Sequence, residues 1–160
     1  MKIRLILPLV MALLPVLACE SEVREANINQ DQYIDDYVTR KYADYPVFHN
    51  EGSTRVVLTE GPQGAPVIEK GDSVYLYYAG FLFEQSGPGA QFVLDSGMVR
   101  VGSSDLIRGL ERGLPGARLG EEALILFSAD DGYGSQALGL VPENSALLFD
   151  VGVAGIKKNQ

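Results

Sequence analysis

The stretch that decides the fold runs Val101-Gly102-Ser103-Ser104-Asp105-Leu106-Ile107-Arg108-Gly109-Leu110-Glu111-Arg112-Gly113-Leu114. It predicts a short helix from about Asp105 to Leu114 that begins behind two serines, with Ser104 as its N-cap. Glycines at 109 and 113 each cost such a helix about 1 kcal/mol relative to alanine. Their presence indicates that another element packs very close to the helix. Further on, Asp130-Asp131-Gly132-Tyr133-Gly134 is a tight turn presenting one tyrosine, and Ala146-Leu147-Leu148-Phe149-Asp150-Val151 is a buried strand. A short helix laid across a sheet, beside a tyrosine loop, describes a small apolar pocket.

The chain has 160 residues, enough for one domain with appendages. Lys2 and Arg4 precede an apolar stretch from Leu5 to Ala18, which is too short to span a membrane comfortably. It ends Val16-Leu17-Ala18-Cys19, close to a bacterial lipobox, and Cys19 is the sole cysteine. Residues 1–18 are therefore expected to be a lipoprotein signal peptide and Cys19 the lipidated residue, with no intramolecular disulfide. Two of the thirteen basic residues precede Cys19 and none of the 21 acidic ones does, so the remainder carries a formal charge of −10. Such a surface repels nucleic acid and anionic headgroups, so membrane attachment is expected through acyl chains. The expected location is the bacterial cell envelope, on the outer membrane at its periplasmic or surface face.

Residues 19–28 are charged, lack an apolar period and read as a tether. Residues 29–50 read as an amphipathic helix and loop. Tyr33, Ile34, Tyr37, Val38 and Tyr42 recur at three- and four-residue intervals, and Pro46 closes the helix. The tyrosine face is expected to dock on its own domain. His49 stands in the polar loop, with no second histidine or nearby cysteine to make it a ligand.

Residues 51–160 read as the folded domain. Arg55 to Thr59, Ser73 to Phe83, Phe92 to Val101, Ala123 to Phe127 and Ser145 to Gly155 are strand-like, the third broken around Asp95-Ser96-Gly97. Glu84 to Ala90 reads as a loop containing glycine and proline. Ala123-Leu124-Ile125-Leu126-Phe127 is apolar on both faces, as a strand covered on both sides would be. About five strands and one short helix make an α+β domain. Asp130-Asp131 has too few ligands around it for a cation, so no metal is expected.

Four pieces, in this order, resemble the FKBP-type peptidyl-prolyl cis-trans isomerases: Lys70-Gly71-Asp72-Ser73-Val74 running into Tyr77-Tyr78-Ala79-Gly80, then Leu106 to Gly113, then Tyr133-Gly134, then Leu148-Phe149-Asp150-Val151. The resemblance covers roughly Arg55 to Ile156. It implies an FKBP-like antiparallel sheet wrapped across one short helix, and a proline pocket needing no cofactor. Carried onto this chain, Tyr78 forms one wall and Asp95 follows the wall position, which Leu94 or Phe92 fills. Leu106 and Ile107 are the aliphatic pair at the helix start, the Ile107 N–H holding a substrate carbonyl. Tyr133 is the loop tyrosine that hydrogen-bonds bound peptide, Leu140 and Val141 the aliphatic loop, and Phe149 the pocket phenylalanine. Leu110 stands where the family usually has a tryptophan, and the chain contains none.

The implied partners are proline-containing polypeptides and macrolide-type inhibitors. The reading is a prolyl isomerase that assists folding of exported proteins, with Tyr78, Asp95, Ile107, Tyr133 and Phe149 as its central residues. The alternative is a non-catalytic peptide- or protein-binding module on the same fold.

Overall fold

The computed structural model describes residues 29–103 and 106–159. The expected signal peptide and tether, Cys19 and the expected cap Ser104 lie outside the described residues. Helix α1 spans 29–41. Strands follow at β1 (Val47–Asn50), β2 (Ser53–Thr59), β3 (Ser73–Glu84) and β4 (Gly87–Arg100), then helix α2 (Arg108–Gly113), β5 (Glu122–Phe127), a 3₁₀ turn (Ala129–Asp131) and β6 (Leu147–Lys157). The six strands form one antiparallel sheet in the order β1-β2-β5-β6-β3-β4.

Three expectations change in the strands. Residues 47–50 form an additional strand, not a loop, and His49 belongs to it, its Nδ1 lying 3.1 Å from Thr54 Oγ1. The cause is a two-residue hairpin at Glu51 (φ 44°) and Gly52 (φ 90°), whose left-handed pair matches the twist of antiparallel strands. The expected loop from Glu84 to Ala90 is also a hairpin, with only Gln85 and Ser86 between β3 and β4. β4 then continues unbroken through Asp95-Ser96-Gly97. It lies at the sheet edge, where Pro88 and three glycines are tolerated because one side of the strand has no ladder to satisfy.

Helix α2 is shorter than its sequence suggests. It begins at Arg108, with Ile107 in the N-cap position (φ −57°, ψ 140°) and no side-chain cap. Its glycines serve close packing, as expected. A Cβ on Gly109 would stand 2.1 Å from the Phe127 ring, and one on Gly113 would stand 2.4 Å from Ile125 Cγ2. Two strand side chains grip the helix backbone: Ser53 Oγ donates to the Gly109 carbonyl (2.9 Å), and Arg55 Nη1 donates to those of Gly113 (3.0 Å) and Pro115 (2.9 Å). Arg55 is itself buried, its Nε 3.3 Å from Glu121 Oε1.

The sheet has a core on each face. On the inner face, Ala123, Ile125 and Phe127 of β5 pack with Phe149, Val151 and Val153 of β6 and with Leu110 and Leu114 around α2. On the outer face, Leu124, Leu126 and Leu148 pack beneath Ile34, Tyr37 and Val38 of α1. β5 is thus covered on both sides, as its unbroken apolar run predicts. Tyr37 meets the Phe83 ring edge-on at 5.0 Å and Tyr33 stacks on it at 5.7 Å, so the tyrosine face does dock on its own domain. α1 stops at 41 rather than reaching Tyr45. The chain turns there, Tyr45 N donating to the Tyr42 carbonyl at 3.1 Å, and Pro46 disfavours helical backbone at the residue before it.

Candidate functional site

α2 is only six residues long and covers part of the inner face. Beside its N-terminal end, the inner core opens as an apolar cavity of about 280 Å³. β3 turns alternate side chains toward it, supplying Leu76 and Tyr78. β6 supplies Phe149, which stacks on Phe127 at 5.8 Å and receives the edge of Phe92 at 5.7 Å. Gly80 leaves room for these rings: a Cβ there would stand 2.7 Å from Phe92 and 3.0 Å from Phe149.

The β4 wall depends on a bulge. Gly80 pairs with Val93 but Phe81 pairs with Gln91, so Phe92 is the extra residue. A bulge re-aims side chains, and here two successive residues, Phe92 and Val93, both reach the cavity. This settles the wall position left open between Phe92 and Leu94. Phe92 occupies it. Leu94 does not line the cavity: one residue past the bulge the alternation resumes, and Leu94 faces outward with 74% of its surface exposed.

Leu106 and Ile107 enter from the start of α2, and Leu110, 4% exposed, lines the cavity one turn along. The Ile107 amide precedes the helix and has no partner within its ladder. Opposite, the loop after the 3₁₀ turn contributes Tyr133, Leu138, Gly139, Leu140 and Val141. Leu138 and Val141 close a small turn by reciprocal backbone hydrogen bonds of 2.9 and 3.0 Å, with Gly139 in the left-handed region (φ 59°). Leu138 and Leu140 thereby stand largely exposed at the rim.

The site's ionisable groups are few. Burial raises the Tyr133 hydroxyl above its ordinary value of 10.0. Tyr78 is raised by burial first and then by the negative charge of Asp95, which lies directly opposite on β4. Asp95 is exposed and does not line the cavity; it reaches the site through Tyr78. Both tyrosines are thus neutral hydroxyls at neutral pH. Among the described residues no group of three metal-ligating side chains occurs. A larger cavity, about 440 Å³, adjoins this one across Leu106, but Lys70, Arg108, Glu111 and Arg112 line it and it offers no dry enclosure.

Of the residues expected at the site, Tyr78, Phe92, Leu106, Ile107, Leu110, Tyr133, Leu140, Val141 and Phe149 meet around one cavity. Leu76, Val93, Leu138 and Gly139 are additional. Leu138 and Gly139 carried a readable signal, apolar residues around a glycine in an otherwise polar loop. Val93 carried none, because a bulge leaves no mark on the alternation until the partner strand is known.

Comparison with known proteins bears on this arrangement. Residues 65–154 match the family model described as FKBP-type peptidyl-prolyl cis-trans isomerase. The chain is 38% identical over 97 residues to FK506-binding protein 1 of Yarrowia lipolytica, covering 58% of this chain and 88% of that protein. It is 35% identical over 109 residues to a peptidyl-prolyl cis-trans isomerase of Schizosaccharomyces pombe, covering 66% and 95%. Among solved structures, the three FKBP domains of wheat FKBP73 superpose with a TM-score of 0.61 at 22% identity. That likeness covers 72% of this chain and half of the longer wheat protein.

Proposed function

The chain belongs to the FKBP-type peptidyl-prolyl cis-trans isomerase family, and from that premise we propose that it catalyses cis-trans isomerisation of X-Pro bonds in polypeptides exported to a bacterial cell envelope. The observation that carries the proposal is the apolar cavity of about 280 Å³ walled by Tyr78, Phe92, Ile107, Tyr133 and Phe149, a space of prolyl size with two neutral hydroxyls.

The chemistry asked of such a site is modest. Rotation about a peptide bond faces a barrier of about 18–20 kcal/mol, set by amide resonance. Both X-Pro isomers are well populated, so a catalyst has only to lower that barrier. The twisted amide is less dipolar than the planar one. A dry cavity therefore penalises the planar ground state more than the transition state. The prolyl ring enters against Phe92 and Phe149, above Leu110. The Ile107 N–H and the Tyr133 hydroxyl hold the carbonyls flanking the bond, which is positioning and not proton transfer. Tyr78, paired across the strands with Asp95, forms one wall.

The envelope assignment rests on the lipobox-like Val16-Leu17-Ala18-Cys19 behind a basic and apolar leader. Lipid on Cys19 holds the acidic domain at the membrane, with residues 19–28 as spacer. Macrolides of the kind named by the FK506-binding relatives enter the same cavity, less tightly for want of an aromatic floor.

Relaxation of a short X-Pro peptide from cis to trans tests the activity. Acceleration by the full chain, reduced in Tyr133→Phe, is the expected result; wild-type protein that leaves the uncatalysed rate unchanged refutes catalysis and leaves a binding module. Cys19→Ala is expected to release the protein from membranes, and continued membrane association refutes lipid anchoring.

A further inference from the structure

We infer that Gln30 of α1 is a positioning residue for the cavity, clamping both ends of the loop that carries Tyr133. This rests on the isomerase reading, but Gln30 itself lies outside the family-matched segment 65–154.

Gln30 is a polar side chain buried to 8% exposure, and the outer core gives it no apolar reason to be there. Both ends of its amide are used. Its Oε1 accepts from the Ala129 N–H at 2.8 Å, and its Nε2 donates to the Asn144 carbonyl at 2.7 Å. Ala129 and Asn144 are the two ends of the loop that supplies Tyr133, Leu138, Leu140 and Val141 to the cavity. Within the loop, Gly134 N donates to the Ala129 carbonyl (2.9 Å) and Asn144 N to the Gly134 carbonyl (2.7 Å). Gln30 thus completes a closed chain of hydrogen bonds: Gln30, Ala129, Gly134, Asn144 and back to Gln30. Gly134 follows Tyr133 directly, so the ring is fastened one residue from the hydroxyl that meets substrate.

The length of the loop calls for such a clamp: between Ala129 and Asn144 it holds only a 3₁₀ turn and short backbone turns, among them the one closed by Leu138 and Val141.

The test compares Gln30→Ala, Gln30→Met and the exposed helix neighbour Gln32→Ala in the full chain, reading amide hydrogen exchange and X-Pro kinetics together. Met fills the space without either hydrogen bond. Two neutral hydrogen bonds each shift an equilibrium by roughly two- to tenfold, so both Gln30 variants are expected to speed exchange at Gly134, Gln136, Val141 and Asn144 about tenfold. Exchange in β5 and β6 should be unchanged, kcat/KM should fall about fivefold, and Gln32→Ala should match wild type. A Met variant indistinguishable from wild type shows that packing alone holds the loop and overturns the clamp. Uniformly faster exchange across the sheet reduces Gln30 to a structural role and overturns it as well. Should wild-type protein prove inactive, the isomerase reading fails by itself, while the exchange pattern still decides the clamp.

Discussion

The two faces of the sheet are closed by helices in opposite ways. On the outer face, α1 is long enough to lay Ile34, Tyr37 and Val38 over β5, β6 and the end of β3, where all three are buried. On the inner face, α2 has six residues and two glycines and lies so close to β5 that Phe127 and Ile125 touch its backbone. It cannot reach across the rest of the concave surface, and what it leaves uncovered is the cavity. The candidate site here is a shortfall in covering one face, on a sheet whose other face carries the apolar side of α1. The outer helix is still not a bystander, since its first described turn holds the loop that borders the cavity.

The sharpest way to break this comparison is to empty the outer core. Tyr37→Ala removes a ring packed on Phe83 and should cost about 4 kcal/mol, read by urea unfolding, while the protein that remains folded binds X-Pro peptide as before. A cost under about 1 kcal/mol would mean that α1 merely rests on the sheet. The next largest effect belongs to the inner face. Gly109→Val places a branched Cβ against the Phe127 ring and should lose about 3 kcal/mol through overpacking, along with peptide binding, because α2 must lift from β5.

Smaller effects refine the cavity. Leu110→Trp restores an aromatic floor beneath the prolyl ring and should tighten macrolide binding by up to about tenfold, measured by calorimetry. Unchanged or weaker affinity would show that the leucine floor suits this cavity.

The smallest effect concerns pH and separates the faces. At the cavity, Tyr78 and Tyr133 are both raised above 10.0, so kcat/KM should be flat from about pH 6 to 9. The outer face instead carries Asp31 and Asp150, both raised, chiefly by burial. A carboxyl whose folded pKa exceeds its unfolded one binds more protons in the native state, so stability rises as pH falls from neutral toward their ordinary value of 3.8. Asp72 works in the opposite sense. It is held down by Lys158 at 2.8 Å and by the amides of Glu69 and Asn159, and its stabilisation is lost as pH falls through its folded value. Melting temperature against pH should therefore rise gently on mild acidification and then drop, and Asp72→Asn should flatten the drop.

Much of this was legible in the chain. The glycines of α2, the two-faced apolar run of β5, the tyrosine stripe of α1 and the Tyr133 turn each have one dominant local cause, and each stands where its pattern places it. Glycine and proline between 84 and 90 signal a loop, but β4 is an edge strand and tolerates them. At the wall, the sequence leaves Leu94 and Phe92 open, and only the register against Gly80 and Phe81 distinguishes them.

The sequence by itself determined α2 and the strands β2, β3, β5 and β6, because periodicity, turn chemistry and glycine at close contacts act over a few residues, while the pocket residues on β3, α2, the tyrosine loop and β6 are what the resemblance to the FKBP family implies. Tertiary structure alone decided the bulge at Phe92, the outward turn of Leu94, the sixth strand and the reach of Gln30 to Ala129 and Asn144. Those depend on which distant backbone is hydrogen-bonded to which, and strand register and buried amide partners leave no trace in local pattern.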